Sequence, residues 1–472
     1  MSADPSAPLA SVLCAVRGSG ETAVVTALTQ PGSGVAVARR CADLTELLAA
    51  AGAGAGTAAV ISGDLPGINR ETVAHLHGCG VRVVALAEGQ AWLADRLRAV
   101  GVDVVLDEGT PSAVLVATVR DEARGRGRHA DLGTPPPGDG PGTTGEGEGQ
   151  ASAPRAGKVL AVWGPTGAPG RTTLAVHLAA ELAGAGGHGA PAGRWRRRRS
   201  PEGAGRHGVQ EGRPDEEVLL VDADTYAGSV AQHLGLLDES PGLAAAARSA
   251  GQGTLDLAGL ARLAPVAAPR LRVLTGITRA ARWPELPATS LDVVWEHARE
   301  LAHWTVIDCG FGIEQDELLS YDTRAPQRNG ATLSALAAAD VVLVVGGSDA
   351  VGIQRLVRGL SDLADSGAAS GALRLVVANR VRSSAAGPRP ERAVRDALGR
   401  YGGVTDLHVL PDDRATLDAA LLAGRTLAEH APLTPVRRAV AELAQRVRAE
   451  VGPASGAVAR GGPREHVLEP AH

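Results

Sequence analysis

A chain of 472 residues has room for two domains and a linker, and a 44% apolar content can fill two cores. Only 2% of the residues are aromatic, so those cores must be built from Ala, Val and Leu. The formal charge of -5 excludes a global basic field that would draw the protein to nucleic acid; only local patches are left for that task.

Cys14, Cys41, Cys79 and Cys309 are scattered through strand-like and helical stretches. That spacing points to reduced thiols in a cytosolic protein rather than a disulfide frame. The opening MSADPSAPLA lacks a basic segment followed by a long apolar run, so no secretory leader is expected. No apolar stretch reaches the roughly 18 uninterrupted residues of a transmembrane helix.

Residues 9–124 alternate short apolar runs with helical stretches. Strands are predicted at 9–16, 34–38, 57–62, 81–87 and 102–106, and helices at 21–28, 43–51, 69–77, 91–100 and 111–123. Five β/α units in this order predict a doubly wound, flavodoxin-like parallel sheet. Within it His75 and Cys79 share a helical face, but with no second ligand pair nearby the reading as a helix end before Gly78 and Gly80 is preferred to a metal site. Residues 125–156 are rich in Gly, Pro and Thr and read as a flexible linker.

The second domain, 157–451, begins with KVLAVWGPTGAPGRTTLAVHLAAELA from Lys158. An apolar strand (159–163), a turn-rich loop and a helix (172–183) form the arrangement that holds nucleotide phosphates, with loop N–H groups and a helix N-terminus facing the anion. Against the pattern G-x-x-x-x-G-K-[ST], Pro165 stands for the first Gly, Gly170 is in place, Arg171 replaces Lys, and Thr172 and Thr173 supply hydroxyls. Residues 184–216 interrupt the domain; they contain RWRRRR from Arg194 to Arg199 and cannot bury enough apolar surface to order themselves. The run reads first as a solvated insertion and second as a contact to DNA or an anionic membrane.

Next comes the strand VLLVDADTYAGS from Val218, which delivers Asp222 and Asp224 into a loop. Carboxylates at the carboxyl edge of a parallel sheet can reach Mg²⁺ or position a water. A helix with Gly interruptions is predicted over 238–262, a strand over 271–275 and a helix over 291–303. WTVIDCGFG from Trp304 is then a strand ending in Asp308 before a glycine turn, the form of a Walker-B element. Further predicted strands run over 341–345, 373–378 and 405–410, the latter two followed by Asn379-Arg380 and Pro411-Asp412. Helices are predicted at 332–339, 351–363, 391–398, 417–423 and 435–451. Val436, Val440, Leu443, Val447 and Val451 share one face of the last, which lacks the Trp or Phe of an interfacial anchor and is expected to fold back on its own domain. Residues 452–472 read as a disordered tail.

Two resemblances follow from these residues. With Leu65-Pro66-Gly67 after its third strand, the first domain resembles a response-regulator receiver. Ser62 stands where that family has its phosphoacceptor Asp, and the acidic pair expected after the first strand is replaced by Arg17, Gly18 and Ser19. The resemblance therefore implies a degenerate receiver that docks partners without phosphotransfer. The second domain resembles the MinD/ParA family of deviant-Walker P-loop ATPases, most closely its CpaE-like branch linked to Flp/Tad pilus assembly. That resemblance implies ATP and Mg²⁺ as cofactors. Gly164, Gly167, Gly170, Arg171, Thr172 and Thr173 would line the phosphates; Thr172, Asp222 and Asp308 would serve the metal; Asp224 and Arg171 would be catalytic; Asn379, Pro411 and Asp412 would flank the base. It further implies an ATP-dependent homodimer in the cytoplasm or peripheral at the membrane, working with protein partners of a pilus, secretion or polar-positioning machine. Thr166 replaces the family's signature Lys, with Arg324 or Arg328 as candidate substitutes for its charge. The alternatives are a non-hydrolysing scaffold, and a chromosome- or plasmid-partitioning or division-site ATPase that binds DNA through a basic surface.

Overall fold

The computed structural model describes residues 10–18, 20–125, 156–184, 217–236, 241–315 and 327–451. The expected linker, the Arg194–Arg199 run, Arg324 and the expected tail lie outside them.

The first part alternates strands and helices: β1 (Ala10–Ala15), α1 (Gly20–Leu28), β2 (Val35–Arg40), α2 (Leu44–Gly52), β3 (Ala58–Ser62), α3 (Arg70–Gly78), β4 (Arg82–Ala87), α4 (Ala91–Ala99), β5 (Val104–Asp107) and α5 (Ser112–Ala123). The strands form a parallel sheet in the order β2-β1-β3-β4-β5, the doubly wound order expected. β1, β3 and β4 are buried along nearly their whole length because helices cover both faces. The outer strand β2 carries Arg39 and Arg40 at its exposed end, charge that discourages pairing with another chain. Ser62 is buried, and its Oγ accepts the Arg17 N–H at 2.8 Å. Asp64 faces solvent in a 3.5 Å ion pair with Arg17. His75 Nε2 lies 3.8 Å from Cys79 Sγ, while His77 bonds Asp103 at 2.8 Å. Among the described residues no three His, Cys, Asp or Glu side chains gather in a metal-holding group.

The second part begins with β6 (Lys158–Trp163), α6 (Arg171–Leu182), β7 (Val218–Ala223), α7 (Val230–His233), α8 (Gly242–Gly251), α9 (Leu257–Leu263), β8 (Val266–Ala268) and β9 (Leu271–Leu274). It continues with α10 (Ala288–Leu301), β10 (Trp304–Cys309), α11 (Gly330–Ala338), β11 (Val341–Gly347), α12 (Ala350–Asp365), β12 (Leu373–Val381) and α13 (Ser383–Ala386). α14 (Pro390–Gly402), β13 (Leu407–Pro411), α15 (Arg414–Leu422), α16 (Leu427–His430) and α17 (Pro435–Val451) close it. The sheet order is β13-β12-β11-β6-β10-β7-β9-β8. Both domains are thus α/β with parallel sheets. One edge departs from expectation: β8 pairs antiparallel to β9, and three residues are too few to show a period of two. The helix expected over 238–262 is instead two, α8 and α9, separated at Gly253, whose φ of 69° no helix accommodates.

β7, β10 and β11 are buried end to end and β6 from Val159 onward, which is why they read as continuous apolar runs. One face of this sheet is covered by a core that includes Trp163, Trp295, Leu291 and Leu356, the other by one that includes Leu174, Leu178, Val440 and Leu443. Two of the buried indoles place their N–H groups on partners across the core: Trp163 donates to the Phe311 carbonyl at 3.2 Å and Trp295 to Ser334 Oγ at 2.8 Å. As expected, α17 folds back, burying Val436, Val440, Leu443 and Val447. Its Arg437 forms a two-pronged ion pair with Glu181 of α6, at 2.7 and 2.8 Å.

Candidate functional site

β6 lies between β10 and β11, so the chain leaves it to build the sheet outward on both sides. The crevice at the carboxyl end of such a switch point is where open α/β sheets bind ligands. The 164–170 loop fills that position and runs into α6. Gly167 and Gly170 have φ of 73° and 79°, a region that costs an L side chain about 1–2 kcal/mol. Gly170 caps α6 without a side chain, leaving the helix's first N–H groups directed at the loop.

Arg171 curls back into this loop. Its Nη1 donates to the carbonyls of Gly164 at 3.0 Å and Pro165 at 3.4 Å, and its Nη2 lies 3.8 Å from Asp224 Oδ2. The carboxylates come from two neighbouring strands whose parallel register sets Asp308 opposite Asp222. Asp222 is engaged by its own loop: its oxygens accept the N–H groups of Asp224 at 3.2 Å and Val230 at 3.1 Å, closing the loop between them. Asp224 Oδ1 accepts Tyr226 and Ala227 N–H groups, leaving Oδ2 to face Arg171. Asp308 is different. It is completely buried, and neither carboxylate oxygen has a hydrogen-bond partner at bonding geometry. Burial first, and then the charge of Asp222, push the Asp308 carboxyl well above the usual carboxylate range; the Thr172 hydroxyl beside it pulls the other way. Burial likewise pushes Asp222 up to about 7.

An unsatisfied buried carboxylate facing a threonine hydroxyl at a helix N-terminus fits the outer sphere of a divalent cation. No three side chains here ligate a metal by themselves, so such a cation would take most of its ligands from phosphate oxygens and water, as Mg²⁺ does.

Asn379 and Asp412 lie on the other flank. Asn379 Nδ2 donates to the Pro169 carbonyl at 2.9 Å, which ties the end of β12 to the loop. Its neighbour Arg380 has φ of 57°, at a break in the β12–β13 register. Pro411 ends β13, and Asp412 donates its N–H to the Val381 carbonyl at 3.1 Å. A narrow cleft of about 70 Å³ there is lined by Thr173, His177, His233, Arg380 and Asp412 among others. It is smaller than a nucleoside, so a base entering it must displace the exposed side chains of α15 at its rim. A larger cavity, about 490 Å³, lies between α3 and the Trp283–Ala288 region and shares no lining residue with the loop.

The structure therefore gathers Gly164, Gly167, Gly170, Arg171, Thr172, Asp222, Asp224 and Asp308 at one sheet edge, with Thr173, Asn379, Pro411 and Asp412 beside them. Sequence reasoning missed a latch next to it. Tyr226 stacks 4.5 Å from Phe311 and donates its hydroxyl to Asn329 at 2.8 Å. Arg328 lies 4.0 Å over the Tyr226 ring and its Nη2 donates to the Thr225 carbonyl at 3.0 Å, contacts that hold it in the latch. A Tyr two residues after Asp224 was the available signal.

No family model and no curated protein matches the sequence. Among solved structures the chain is similar to the cell division ATPase MinD of Pyrococcus furiosus, at 18% identity over 62% of this chain and 99% of that one, with a TM-score of 0.44. It is similar to the septum site-determining protein MinD of Pyrococcus horikoshii complexed with Mg-ADP, at 18% identity over 61% and 95%, with a TM-score of 0.43. A ParA family ATPase from Chlorobium tepidum gives 16% identity over 62% and 99%, with a TM-score of 0.47. Likeness at this level describes the course of the chain and not its chemistry.

Proposed function

We propose that this chain binds ATP with Mg²⁺ at the 164–173 loop and belongs to the deviant-Walker ATPases of the MinD/ParA type, which position cellular assemblies. The observation that carries the reading is Asp308, a buried carboxylate without a partner, facing Thr172 across a left-handed glycine loop. Such a group costs stability unless a ligand satisfies it.

Backbone N–H groups of the loop and the start of α6 would bind the phosphates, and Arg171 would turn from the Gly164 carbonyl to a phosphate oxygen. Thr172 and Asp308 would hold Mg²⁺, which when bound neutralises phosphate charge. Asp224, already anchored by two N–H groups, would orient a water with Oδ2 once Arg171 turns to the phosphate. Asn379, Pro411 and Asp412 would flank the base. By the motif order, the assembly served is a Flp/Tad pilus or secretion machine, with an ATP-dependent homodimer as the active form and the first domain, which lacks a phosphoacceptor, as a docking module. A second reading, a scaffold that binds ATP without turnover, draws support from Thr166, which carries no cation.

Phosphate-release assays on the purified protein separate the two. The ATPase reading expects slow Mg²⁺-dependent release that Asp224→Ala lowers while nucleotide affinity is kept. Brisk release that survives Asp224→Ala would show that other residues do the chemistry, and no release with intact ATP binding would leave the scaffold.

A further inference from the structure

The loop has lost a cation at Thr166, but the structure puts one beside it from another element. α12 starts at Ala350, capped by Asp349, whose carboxylate accepts the Gly352 N–H at 2.9 Å. One face of this helix lies on the loop. Gly359 packs so closely on Pro165 that a Cβ at 359 would stand 2.9 Å from the proline Cβ. One helical turn earlier, on the same face, is Arg355. Its guanidinium lies directly against Gly167 and fills the space where a side chain at 167 would stand. Arg355 is exposed, and among the described residues it forms no hydrogen bond or ion pair. Pro165 and Gly359 therefore act as a matched pair: the ring that replaces a loop glycine is accepted because the helix has none of its own bulk there, and that contact fixes where Arg355 stands.

Polarity of the site says what Arg355 would meet. The base cleft touches Thr173, Arg380 and Asp412, a smaller hollow beside it touches Gly170, Thr173 and Asn379, and neither touches residues 165–167. A nucleotide with its base in that cleft would run its phosphates toward Pro165–Gly167 and the Asp224–Asp308 side. We propose that Arg355 is the terminal-phosphate cation of this site, a residue that makes the loop prefer a nucleoside triphosphate to a diphosphate and replaces from α12 the charge missing at Thr166. This rests on the nucleotide reading above. A free guanidinium is suited to the task because it can engage two oxygens of one phosphate.

The test is the ratio of affinities. Fluorescent ATP and ADP analogues are titrated with Mg²⁺ into wild type, Arg355→Ala and Arg355→Lys, with melting curves to show that the exposed substitutions leave the fold intact. A charge-assisted contact to the terminal phosphate predicts that Arg355→Ala weakens ATP about ten- to a hundredfold and ADP by less than about threefold, with Arg355→Lys in between. Equal losses for the two nucleotides, or none, overturn the assignment while leaving the site itself standing. Wild type that binds neither analogue overturns both this inference and the nucleotide reading.

Discussion

The contact between Glu181 and Arg437 joins the helix that carries the phosphate loop to the last helix of the chain. Glu181 is 8% exposed and Arg437 19%, and the pair is two-pronged. Burial raises the Glu181 carboxyl above its ordinary range, and Arg437 only partly counters it. The pair thus holds geometry more than it adds net stability. Glu181→Ala would strand the guanidinium. Breaking a buried pair from one side costs about 3–5 kcal/mol, and the residual exposure of Arg437 brings the expectation to about 2–4 kcal/mol. For a domain of this size that is a fall of roughly 5–15 °C in melting temperature. Replacing both partners with apolar residues, Glu181→Met with Arg437→Leu, should recover most of the loss. Urea denaturation of the three proteins measures this. A single variant within about 0.5 kcal/mol of wild type, where substitutions remote from packing usually fall, would mean that α17 is not seated on α6, and liposome flotation dependent on 435–451 would then reassign it as an anchor.

Three further outcomes are expected. His177 is buried beside the Leu427 N–H, which its Nδ1 accepts at 3.2 Å, and burial lowers its pKa from 6.5 to about 3. Its folded pKa is depressed, so the unfolded chain binds the proton first. The contribution of neutral His177 is complete above about pH 6.5 and is lost at about 1.4 kcal/mol per pH unit as pH falls toward 3, a slope that His177→Gln should flatten in denaturation curves. Gly359→Ala should cost about 1–3 kcal/mol against Pro165, partly offset by the better helix propensity of Ala, and Pro165→Gly should relieve it; additive effects in the double-mutant cycle would remove the proposed contact. Asp308→Asn removes the buried carboxyl that would serve the metal and should erase any Mg²⁺ dependence of ATP binding in titrations; ATP binding that Mg²⁺ still strengthens would contradict the role given to Asp308.

Much of the fold was legible because a parallel sheet covered on both faces forces apolar runs, and VLAV, VLLV and VVLVV cannot be mistaken for surface. Glycines with left-handed φ at 167 and 170, and carboxylates at strand ends, were legible for the same reason: the backbone and the sheet edge demand them locally. What stayed hidden depends on distant neighbours. Nothing near Asp308 in sequence tells that its oxygens lack partners while those of Asp222 are taken by the loop through Val230. Asn379 is read as a base contact by motif order, yet its amide is tied to the Pro169 carbonyl. Arg355 sits in an ordinary amphipathic helix, and only the packing of Gly359 on Pro165 brings it to the loop. The antiparallel β8 was invisible because three residues carry no periodicity.

Calorimetric titration of the full chain with ATP, with and without Mg²⁺, and again with Arg171→Ala, tests the central claim most directly. Saturable binding that Mg²⁺ strengthens and Arg171→Ala weakens about tenfold or more is the expected result. Absence of heat for ATP and ADP up to millimolar concentration would contradict it.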